Sequence, residues 1–519
     1  MARCEDTINE EGRRTCEKRF NGKLLLSNLQ VLHYVPPVNT ALNFMPPSYI
    51  LLQLQGIDIA LTGRFLGLVG LMSIQGAVTG DLRQLSISIQ TEFKTAPDGL
   101  MQVRVVDCST TVRYSEFYID AEGPFSGLVK MFEVAFIDLK GTAYILTLLV
   151  SLEMNLMQVQ INDAIRQQIP SVLCSSIQKF IEDASPALFK RLARADLSDQ
   201  FKTPGPIGIP AVERLVHRFT KGLYIDNRNI ADPTITYDFF ETQQSGEIRY
   251  DDNPRRTPFF PSPMRTTNDS DRMLYFYGSE YLFNSLLFHA YEGNRLMLEI
   301  DESSLPPTYK PLLWTSCAKP TGGNFLATFC LGKLIPAIAE KFPNATSSFV
   351  LIPHELPVFQ LIDGIGTIDL KTRVLTYINE GRRRRQILVS STDVVADLRL
   401  LIDDHNFAAD FKLHKLAVGL HRSAVDGISS EEISQMAPLA KTFLGPQLSK
   451  ALRKGLPFPL QESLEFINPQ LRVHDGFVEL ATDFRLGERK LRAEVKQAFQ
   501  SKFYRHSLPP RSSNTHLDY

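Results

Sequence analysis

The sequence predicts an α+β protein of two units, each combining antiparallel strands with one long amphipathic helix. Between Gln158 and Leu197, apolar residues recur at steps of three and four, which places them on one side of an α-helix. Between Leu85 and Val105, apolar and polar residues alternate, which is typical of paired strands. Residues Glu431 to Leu452 repeat the helical spacing near the end of the chain. The two halves therefore share an order of strands followed by a long helix and further strand.

Bulk composition limits the classes of protein that fit. A chain of 519 residues is too long for one ordinary core, so two or more domains are expected. The net charge of −1 gives no reason to expect a nucleic-acid partner. The longest apolar run, Thr142 to Leu152, is shorter than the roughly 20 residues of a membrane span. Met1 to Lys23 is crowded with charge, lacks the apolar stretch of a signal peptide, and is expected to be poorly ordered.

The first half is predicted to place a hairpin before its helix. Ala96 to Gly99 forms the turn between the alternating strands, and Ile57 to Leu61 alternates in the same way. Pro170 should kink or split the helix, because it removes a backbone donor. Cys174 lies near the apolar stripe, where a core thiol or half of a disulfide would fit. The helix is expected to end in the charged run Lys190 to Asp196.

The second half follows a proline-rich stretch, Asp251 to Asp271, that reads as an inter-domain linker. Helical spacing predicts a short helix at Tyr281 to Tyr291 and an amphipathic helix at Phe325 to Phe342. Alternation predicts strands from Ile365 to Phe411. The helix from Glu431 to Leu452 is then expected to stop at the glycine and proline that follow it.

The sequence contains no motif of a known catalytic or metal centre, so no enzyme activity, cofactor or metal is expected. The pair His354 and Glu355 lacks the second histidine of a zinc motif. Gly381 to Arg385 reads as a hairpin tip, and either a solvated turn or contact with anionic headgroups would explain it. We favour the solvated turn, since Glu380 and Asp393 flank the arginines.

Short motifs in a fixed order resemble the lipid-binding serum glycoproteins, which include bactericidal/permeability-increasing protein, lipopolysaccharide-binding protein, and the phospholipid and cholesteryl ester transfer proteins. Ser270 to Tyr275 and Ser279 to Asn284 resemble the start of that family's C-terminal barrel, and Lys341 to Asn344 continues the match. Leu452 to Pro459 resembles the exit of its last helix. The resemblance covers residues 24–484 and is nearest to the invertebrate members.

The resemblance implies an elongated, boomerang-shaped molecule of two barrels, each a twisted antiparallel sheet around a long helix, joined by a central sheet. It divides the chain into a start at 1–23, an N-terminal lipid-binding barrel at 24–235, and central strands with the linker at 236–271. A C-terminal lipid-binding barrel follows at 272–484, and a polar tail at 485–519. The implied function is extracellular binding of phospholipid-like acyl chains in apolar pockets, with roles in lipid transfer or innate defence. The alternative is an interaction protein of the same fold without transfer activity.

Particular residues follow from the resemblance. The expected partners are a phospholipid or related lipid, and a membrane or lipoprotein surface contacted only peripherally. Helix position assigns the pocket residues, which are Ile165, Ile169, Leu173, Leu439, Phe443 and Leu444. Two disulfides are implied, Cys108 with Cys174 and Cys317 with Cys330. Asn268 and Asn344 each begin a glycosylation triplet.

The chain departs from the family pattern in three places. The tip of the first-half hairpin carries Lys94 but no basic cluster, so recognition of lipopolysaccharide through such a tip is not expected. Met1 to Lys23 stands where the family has a secretion signal, a strand and a helix, so we expect the second unit rather than the first to hold lipid. Val134 to Asn155 reads as an insertion before the first long helix.

Overall fold

The computed structural model describes most of the chain. The described residues are 4–8, 14–18, 22–69, 72–122, 170–198, 210–253, 255–265, 269–317, 329–381, 383–403, 406–453, 456–457 and 464–486. The insertion predicted at Val134 to Asn155 lies outside them.

The chain forms two compact units. The first comprises Met1–Arg191 and Asn229–Gln243, and the second comprises Leu192–Arg228 and Gln244–Tyr519. Residues 192–228, which the sequence analysis placed in the first domain, therefore cluster with the second unit. The reason is strand pairing, because residues 194–196 and 223–226 share one small sheet with residues 247–250.

The first unit is built on one long antiparallel sheet of five strands. They are β3 (Gly22–Val35), β4 (Asn39–Met45), β5 (Tyr49–Val69), β6 (Met72–Thr95) and β7 (Met101–Glu122). The order is β3-β5-β6-β7, and β4 pairs with the start of β5. Among the described strands the ladder runs from β3 to β7 without pairing these two edges to each other. A closed barrel is therefore not seen in this part of the chain.

Two short strands precede this sheet. They are β1 (Cys4–Ile8) and β2 (Arg14–Lys18), which pair antiparallel. Residues 4–8 and 14–18 of the segment expected to be poorly ordered thus carry paired backbone, whereas residues 1–3, 9–13 and 19–21 lie outside the described part. The charged composition that led to the expectation does not prevent a two-stranded ladder, because ladder bonds use backbone groups that every residue except proline carries.

The predicted hairpin is confirmed. Strands β6 and β7 meet at a turn in which Ala96 N–H donates to the Leu100 carbonyl at 2.8 Å, and Gly99 adopts a φ of 83°. The alternating residues Leu85, Ile87 and Ile89 are buried on one face of the sheet. The period of two in the sequence therefore identified the buried face correctly.

The long helix of the first unit, α1, occupies residues 170–192 of the described chain. Gln158 to Ile169, the predicted first half of this helix, lies outside the described residues. At its other end the prediction was too long, because Arg194–Asp196 is strand β8. Arg194 lies with its guanidinium 3.9 Å from the centre of the Tyr224 ring and bonds Asp251, so these contacts hold the charged run in extended backbone.

In its described residues, the second unit contains three sheets. The remaining strands are β9 (Leu223–Asp226), β10 (Thr234–Ile235), β11 (Phe240–Glu241), β12 (Glu247–Tyr250), β13 (Leu274–Ser279), β14 (Leu298–Ile300), β15 (Thr346–Pro353), β16 (Val358–Ile362), β17 (Ile365–Glu380), β18 (Arg383–Asp403), β19 (Asn406–Ser423), β20 (Leu456–Pro457), β21 (Leu464–His474) and β22 (Phe477–Leu486). The largest sheet has the order β14-β15-β17-β18-β19-β20, with β16 paired to β17. Two three-stranded sheets have the orders β12-β9-β8 and β13-β22-β21. The short pair β10-β11 belongs to the first unit.

The helices of the second unit are mostly short. They are α2 (Pro210–Thr220), α3 (Tyr281–Glu292), α4 (Leu331–Leu334), α5 (Pro336–Lys341), α6 (Ser430–Ser434) and α7 (Met436–Arg453), with a 3-10 turn at Lys310–Leu313. The predicted strands from Ile365 to Phe411 and the helix at Tyr281 are confirmed.

Two predicted helices are interrupted. The helix expected at Phe325 to Phe342 is, in its described part, the two pieces α4 and α5, because Pro336 lacks an N–H and keeps Ile335 out of helical backbone (φ −131°). The helix expected from Glu431 is divided into α6 and α7. A capping box starts α6, in which Glu432 N–H donates to Ser429 Oγ at 3.2 Å. Within the described residues, no helix has the length and apolar character needed to cross a membrane.

Candidate functional site

In the first unit, α1 lies against the sheet through its apolar stripe. Leu173, Ile177 and Ile181 pack against a buried cluster on β5 to β7. The cluster consists of Ile57, Leu85, Ile87, Ile89 and Val105. Leu173 also contacts a second cluster that includes Phe65 and Phe117. The stripe read from the sequence is therefore the surface that holds the helix on the sheet.

A disulfide ties this helix to the sheet. Cys108 on β7 is bonded to Cys174 on α1, with the two Cα atoms 5.7 Å apart. The second implied disulfide is also present, between Cys317 and Cys330, with a Cα separation of 5.3 Å. Cys330 comes directly before α4 and is buried. The first bond is thus made within the described part of α1, and the second is made at the residue before α4.

The stripe of α1 is only partly covered. Leu173, Ile177 and Ile181 are all half-buried, whereas Leu85 and Ile57 on the sheet beneath are fully buried. Apolar surface that remains in contact with water lowers the free energy when an apolar ligand covers it. Leu173, Ile177 and Ile181 contribute apolar surface of this kind.

The second unit repeats the arrangement with α6 and α7 on the large sheet. Ile433 of α6 belongs to a buried cluster that includes Leu388 of β18, and Met436 of α7 packs against it. Val418 and Leu420 of β19 join from the neighbouring strand. The face of the sheet that carries these residues is thus the face that the last helices cover.

A groove of about 580 Å³ lies between α7 and β19. It is lined by His414, Lys415, Leu416, Ala437, Pro438 and Lys441. A β-bulge positions one wall, since Val395 pairs with Lys415 and Ala396 pairs with Leu413, which leaves His414 as the extra residue. The groove combines apolar side chains with basic ones, which is the chemistry that binds an amphiphile.

The basic residues of the groove differ in their pairing. Lys415 Nζ lies 2.5 Å from Asp393 Oδ2, and His414 Nδ1 lies 3.8 Å from Asp397 Oδ2. Lys441 is exposed and makes no ion pair within the described residues. Its ammonium can therefore pair with an anionic group of a ligand whose apolar part lies on Leu416 and Ala437.

Small hydroxyl side chains occupy the buried face of the sheet beside this groove. Thr372, Thr376, Ser390 and Thr392 are all buried. Thr372 and Thr392 hydrogen-bond each other across β17 and β18. Their short side chains fill less space than the aliphatic residues near the ends of the same strands.

The six pocket residues implied by the resemblance are only partly placed. Ile165 and Ile169 lie outside the described residues. Leu173 lies in the helix–sheet contact of the first unit. Leu439, Phe443 and Leu444 are on α7, but their side chains lie outside the described part. Their contact with lipid remains a prediction.

The two glycosylation triplets have different outcomes. Asn268 lies outside the described residues. Asn344 is exposed in a turn before β15, with a φ of 55°, and its backbone N–H donates to Ser316 Oγ at 2.9 Å. This position is accessible to a glycan.

Sequence reasoning missed the groove and a buried polar network. The groove depends on which residues of β19 face α7, and the bulge at His414 shifts that register without a signal in the sequence. In the network, His289 and Glu247 are buried together although 42 residues separate them. The described part of the chain contains no group of three His, Cys, Asp or Glu side chains placed to hold a metal ion.

Comparison with known proteins gives a consistent set of relatives. Residues 218–486 match the profile described as the LBP / BPI / CETP family, C-terminal domain. Lipopolysaccharide-binding protein of Homo sapiens is 19% identical over 457 residues, covering 87% of this chain and 82% of that protein. Bactericidal permeability-increasing protein of Rattus norvegicus is 24% identical over 266 residues, or 50% of this chain and 52% of that protein.

Two further matches complete the comparison. Cholesteryl ester transfer protein of Cricetulus griseus is 23% identical over 271 residues, covering 50% of each chain. A crystal structure of lipopolysaccharide binding protein is 16% identical, with a TM-score of 0.42, and the match covers 93% of this chain and 91% of that one.

Proposed function

Because the chain belongs to the LBP / BPI / CETP family of lipid-binding and lipid-transfer proteins, we propose that it binds lipid through acyl chains held between helix and sheet. The observation that carries the proposal is the groove between α7 and β19, which lies within the residues that match the family. Leu416, Ala437 and Pro438 supply apolar contact there, and Lys415 and Lys441 supply positive charge.

Burial of the lipid tail supplies the driving force. Each methylene removed from water contributes about 0.8 kcal/mol, so a tail of ordinary length supplies enough free energy to offset the ordering of its bonds. The headgroup then stays at the opening, where the ammonium of Lys441 is exposed. No bond is made or broken, so this function needs binding surfaces and no catalytic group.

Lipid extraction tests this function directly. The purified chain is extracted with organic solvent, and the extract is analysed by mass spectrometry against the expression host's total lipid. We expect phospholipid enriched at close to one molecule or more per chain. A folded chain without lipid would support the alternative function, an interaction protein of the same fold that does not transfer lipid.

We also propose that the protein works outside the cell. Disulfides persist in oxidising compartments and are rare in the cytosol, and this chain bonds Cys108 to Cys174 and Cys317 to Cys330. The exposed triplet at Asn344 is compatible with passage through the secretory route. Roles in lipid transfer or innate defence are part of the same proposal.

The closed barrels and the elongated boomerang shape implied by the family resemblance are likewise a proposal for this chain. Small-angle X-ray scattering in solution tests them. An elongated pair-distance distribution supports the two-barrel arrangement, and a distribution expected for a sphere of the same mass contradicts it.

A further inference from the structure

The hairpin between β17 and β18 turns at Gly381, which is exposed. Strand β17 ends at Glu380 and β18 begins at Arg383. Gly381 has a φ of 60°, and no atom beyond its chain neighbours lies within 4 Å of the position that a Cβ would occupy. Gly381 and Arg383, which flank the turn, are both exposed, so this end of the hairpin is accessible.

Strand alternation separates the arginines of this hairpin by face. Arg385 pairs opposite Ile378, which is 0% exposed in the core of the second unit, and Arg383 pairs opposite Glu380 on the same face. Arg384 pairs opposite Asn379 and points to the other face. The guanidinium of Arg385 lies 5.9 Å from the centre of the Phe342 ring, at the end of α5. Lys341, the residue before Phe342, is exposed and donates from Nζ to the Ala424 carbonyl at 3.4 Å. We call Lys341, Arg383 and Arg385 the basic tip.

Charge pairing also differs between the two faces. Arg384 is neutralised, since its Nη1 lies 2.9 Å from Glu299 Oε1 and its guanidinium lies 4.2 Å from the centre of the Tyr377 ring. Within the described residues, none of the three cations of the basic tip has a carboxylate oxygen within 4.0 Å. Glu380 lies opposite Arg383 in the ladder and Glu340 precedes Lys341, but within the described residues neither acid forms an ion pair with the basic tip.

This arrangement gives the basic tip little role in folding. Exposed charges of one sign repel one another when no partner lies between them, and even a paired exposed charge contributes little to stability. The contacts that tie the basic tip to the fold are long ones, since Arg385 lies 5.9 Å from the centre of the Phe342 ring and Lys341 donates to the Ala424 carbonyl at 3.4 Å. A contribution to the stability of the fold therefore does not explain why positive charge is concentrated at the basic tip.

We propose that the basic tip docks the protein on an anionic lipid surface. A guanidinium binds phosphate and carboxylate oxygens through a planar pair of N–H donors, which matches the groups exposed on such a surface. A narrow hairpin turn meets a flat, charged plane with few residues, whereas nucleic acid is bound through a longer basic track. The net charge of −1 for the whole chain means that the attraction is local to the tip.

The sequence alone favoured a solvated turn for this segment. The structure adds two observations in favour of docking: Arg383, Arg385 and Lys341 lie at one exposed end of the second unit, and none of them forms an ion pair within the described residues. Docking through the basic tip is separate from lipid held in the groove, because the two involve different residues.

Vesicle binding tests the proposal. Co-sedimentation is measured with vesicles of phosphatidylcholine alone and of phosphatidylcholine with phosphatidylserine at roughly three to one. The variant R383Q/R385Q removes two positive charges from the tip. The control R399Q/K412Q removes two from exposed positions farther along β18 and β19. Both variants are first shown to fold by circular dichroism.

We expect binding to the vesicles that contain phosphatidylserine, weakened roughly thirty-fold in R383Q/R385Q and little changed in the control. Added salt should weaken the binding of the unmodified protein, since it screens exposed charges. Equal losses in both variants, no loss in R383Q/R385Q, or equal binding to phosphatidylcholine alone would each overturn the proposal. Lipid extracted from the two variants should be the same as from the unmodified protein, which separates docking from lipid storage.

Discussion

His289 Nε2 lies 2.9 Å from Glu247 Oε1, and both side chains are buried in the second unit. Asn253 fixes the tautomer of the imidazole. Its Oδ1 accepts from the backbone N–H of Arg255 at 3.2 Å, so its Nδ2 is turned towards His289 Nδ1 at 3.3 Å. With a donor facing Nδ1, the proton sits on Nε2 and is donated to Glu247. The pair joins α3 to β12.

Removal of the histidine should destabilise the second unit. Among the described residues, His289→Leu leaves the buried carboxylate of Glu247 with the Thr257 N–H at 2.9 Å as its hydrogen-bond donor and Arg249 at 3.9 Å as its ion-pair partner. We expect the free energy of unfolding to fall by about 2–4 kcal/mol, as measured by urea denaturation. The control His421→Leu changes an exposed histidine and should cost less than about 0.5 kcal/mol. Equal stability of the two variants would show that the buried pair contributes nothing.

Low pH should lower the free energy of unfolding, partly through protonation of Glu247. Burial pushes the pKa of Glu247 upward, but hydrogen bonds from His289 and Thr257, with Arg249 nearby, lower the pKa below its usual 4.5 overall. A depressed folded-state pKa means that the stabilisation is complete above the unfolded pKa and is lost as pH falls through the folded one. We therefore expect the urea midpoint to drop below about pH 4.5, and Glu247→Gln to make that drop smaller. An unchanged pH profile in Glu247→Gln would contradict this assignment.

The bond between Cys108 and Cys174 should stabilise the first unit. It closes a loop with a sequence separation of 66, for which the loop-entropy model gives about 4 kcal/mol. Replacement of both cysteines by serine should lower the unfolding temperature and free the N-terminal end of α1 from the sheet. Peptide mapping without reduction checks the starting point. Recovery of both cysteines as free thiols in secreted protein would contradict the predicted disulfide.

Asn344 should carry a glycan when the protein is made in a secretory host. Its side chain is exposed, and the triplet ends at Thr346, where β15 begins. Enzymatic deglycosylation should lower the mass of the secreted protein, and Asn344→Asp should remove that part of the shift while keeping a residue that tolerates a positive φ. A mass that deglycosylation leaves unchanged would argue against both Asn344 and Asn268 as acceptors.

Local patterns predicted the elements whose periodicity is sustained. Leu85 to Val105 and Ile365 to Phe411 form the strands expected. Apolar and polar residues that alternate over many positions can bury one apolar face only if the segment is a β-strand. Boundaries were less accurate where tertiary contacts decided them. Arg194 to Asp196 reads as the charged end of a helix, but pairing with β9 makes it a strand.

The candidate site was harder to predict than the fold. The pocket residues were assigned from position on a helix, and helix position indicates which side chains face the sheet without showing where space remains between them. Leu416 and Ala437 line the groove because a bulge at His414 sets the register of β19 against α7. The pairing of His289 with Glu247 could not be predicted from the sequence either, since the packing of α3 on β12 brings the two side chains together.

Native mass spectrometry of two matched variants tests the lipid-binding function most directly. L416D/A437D places two carboxylates in the groove between α7 and β19, and V358D/I362D places two on the exposed face of β16 in the same unit. Circular dichroism must first show that both variants keep the secondary structure of the unmodified protein. We predict that the unmodified protein and V358D/I362D carry bound phospholipid and that L416D/A437D has lost most of it, because burial of each carboxylate against a tail costs several kcal/mol. Full lipid occupancy in folded L416D/A437D would contradict the groove as the site, and an unmodified protein without lipid would contradict the function itself.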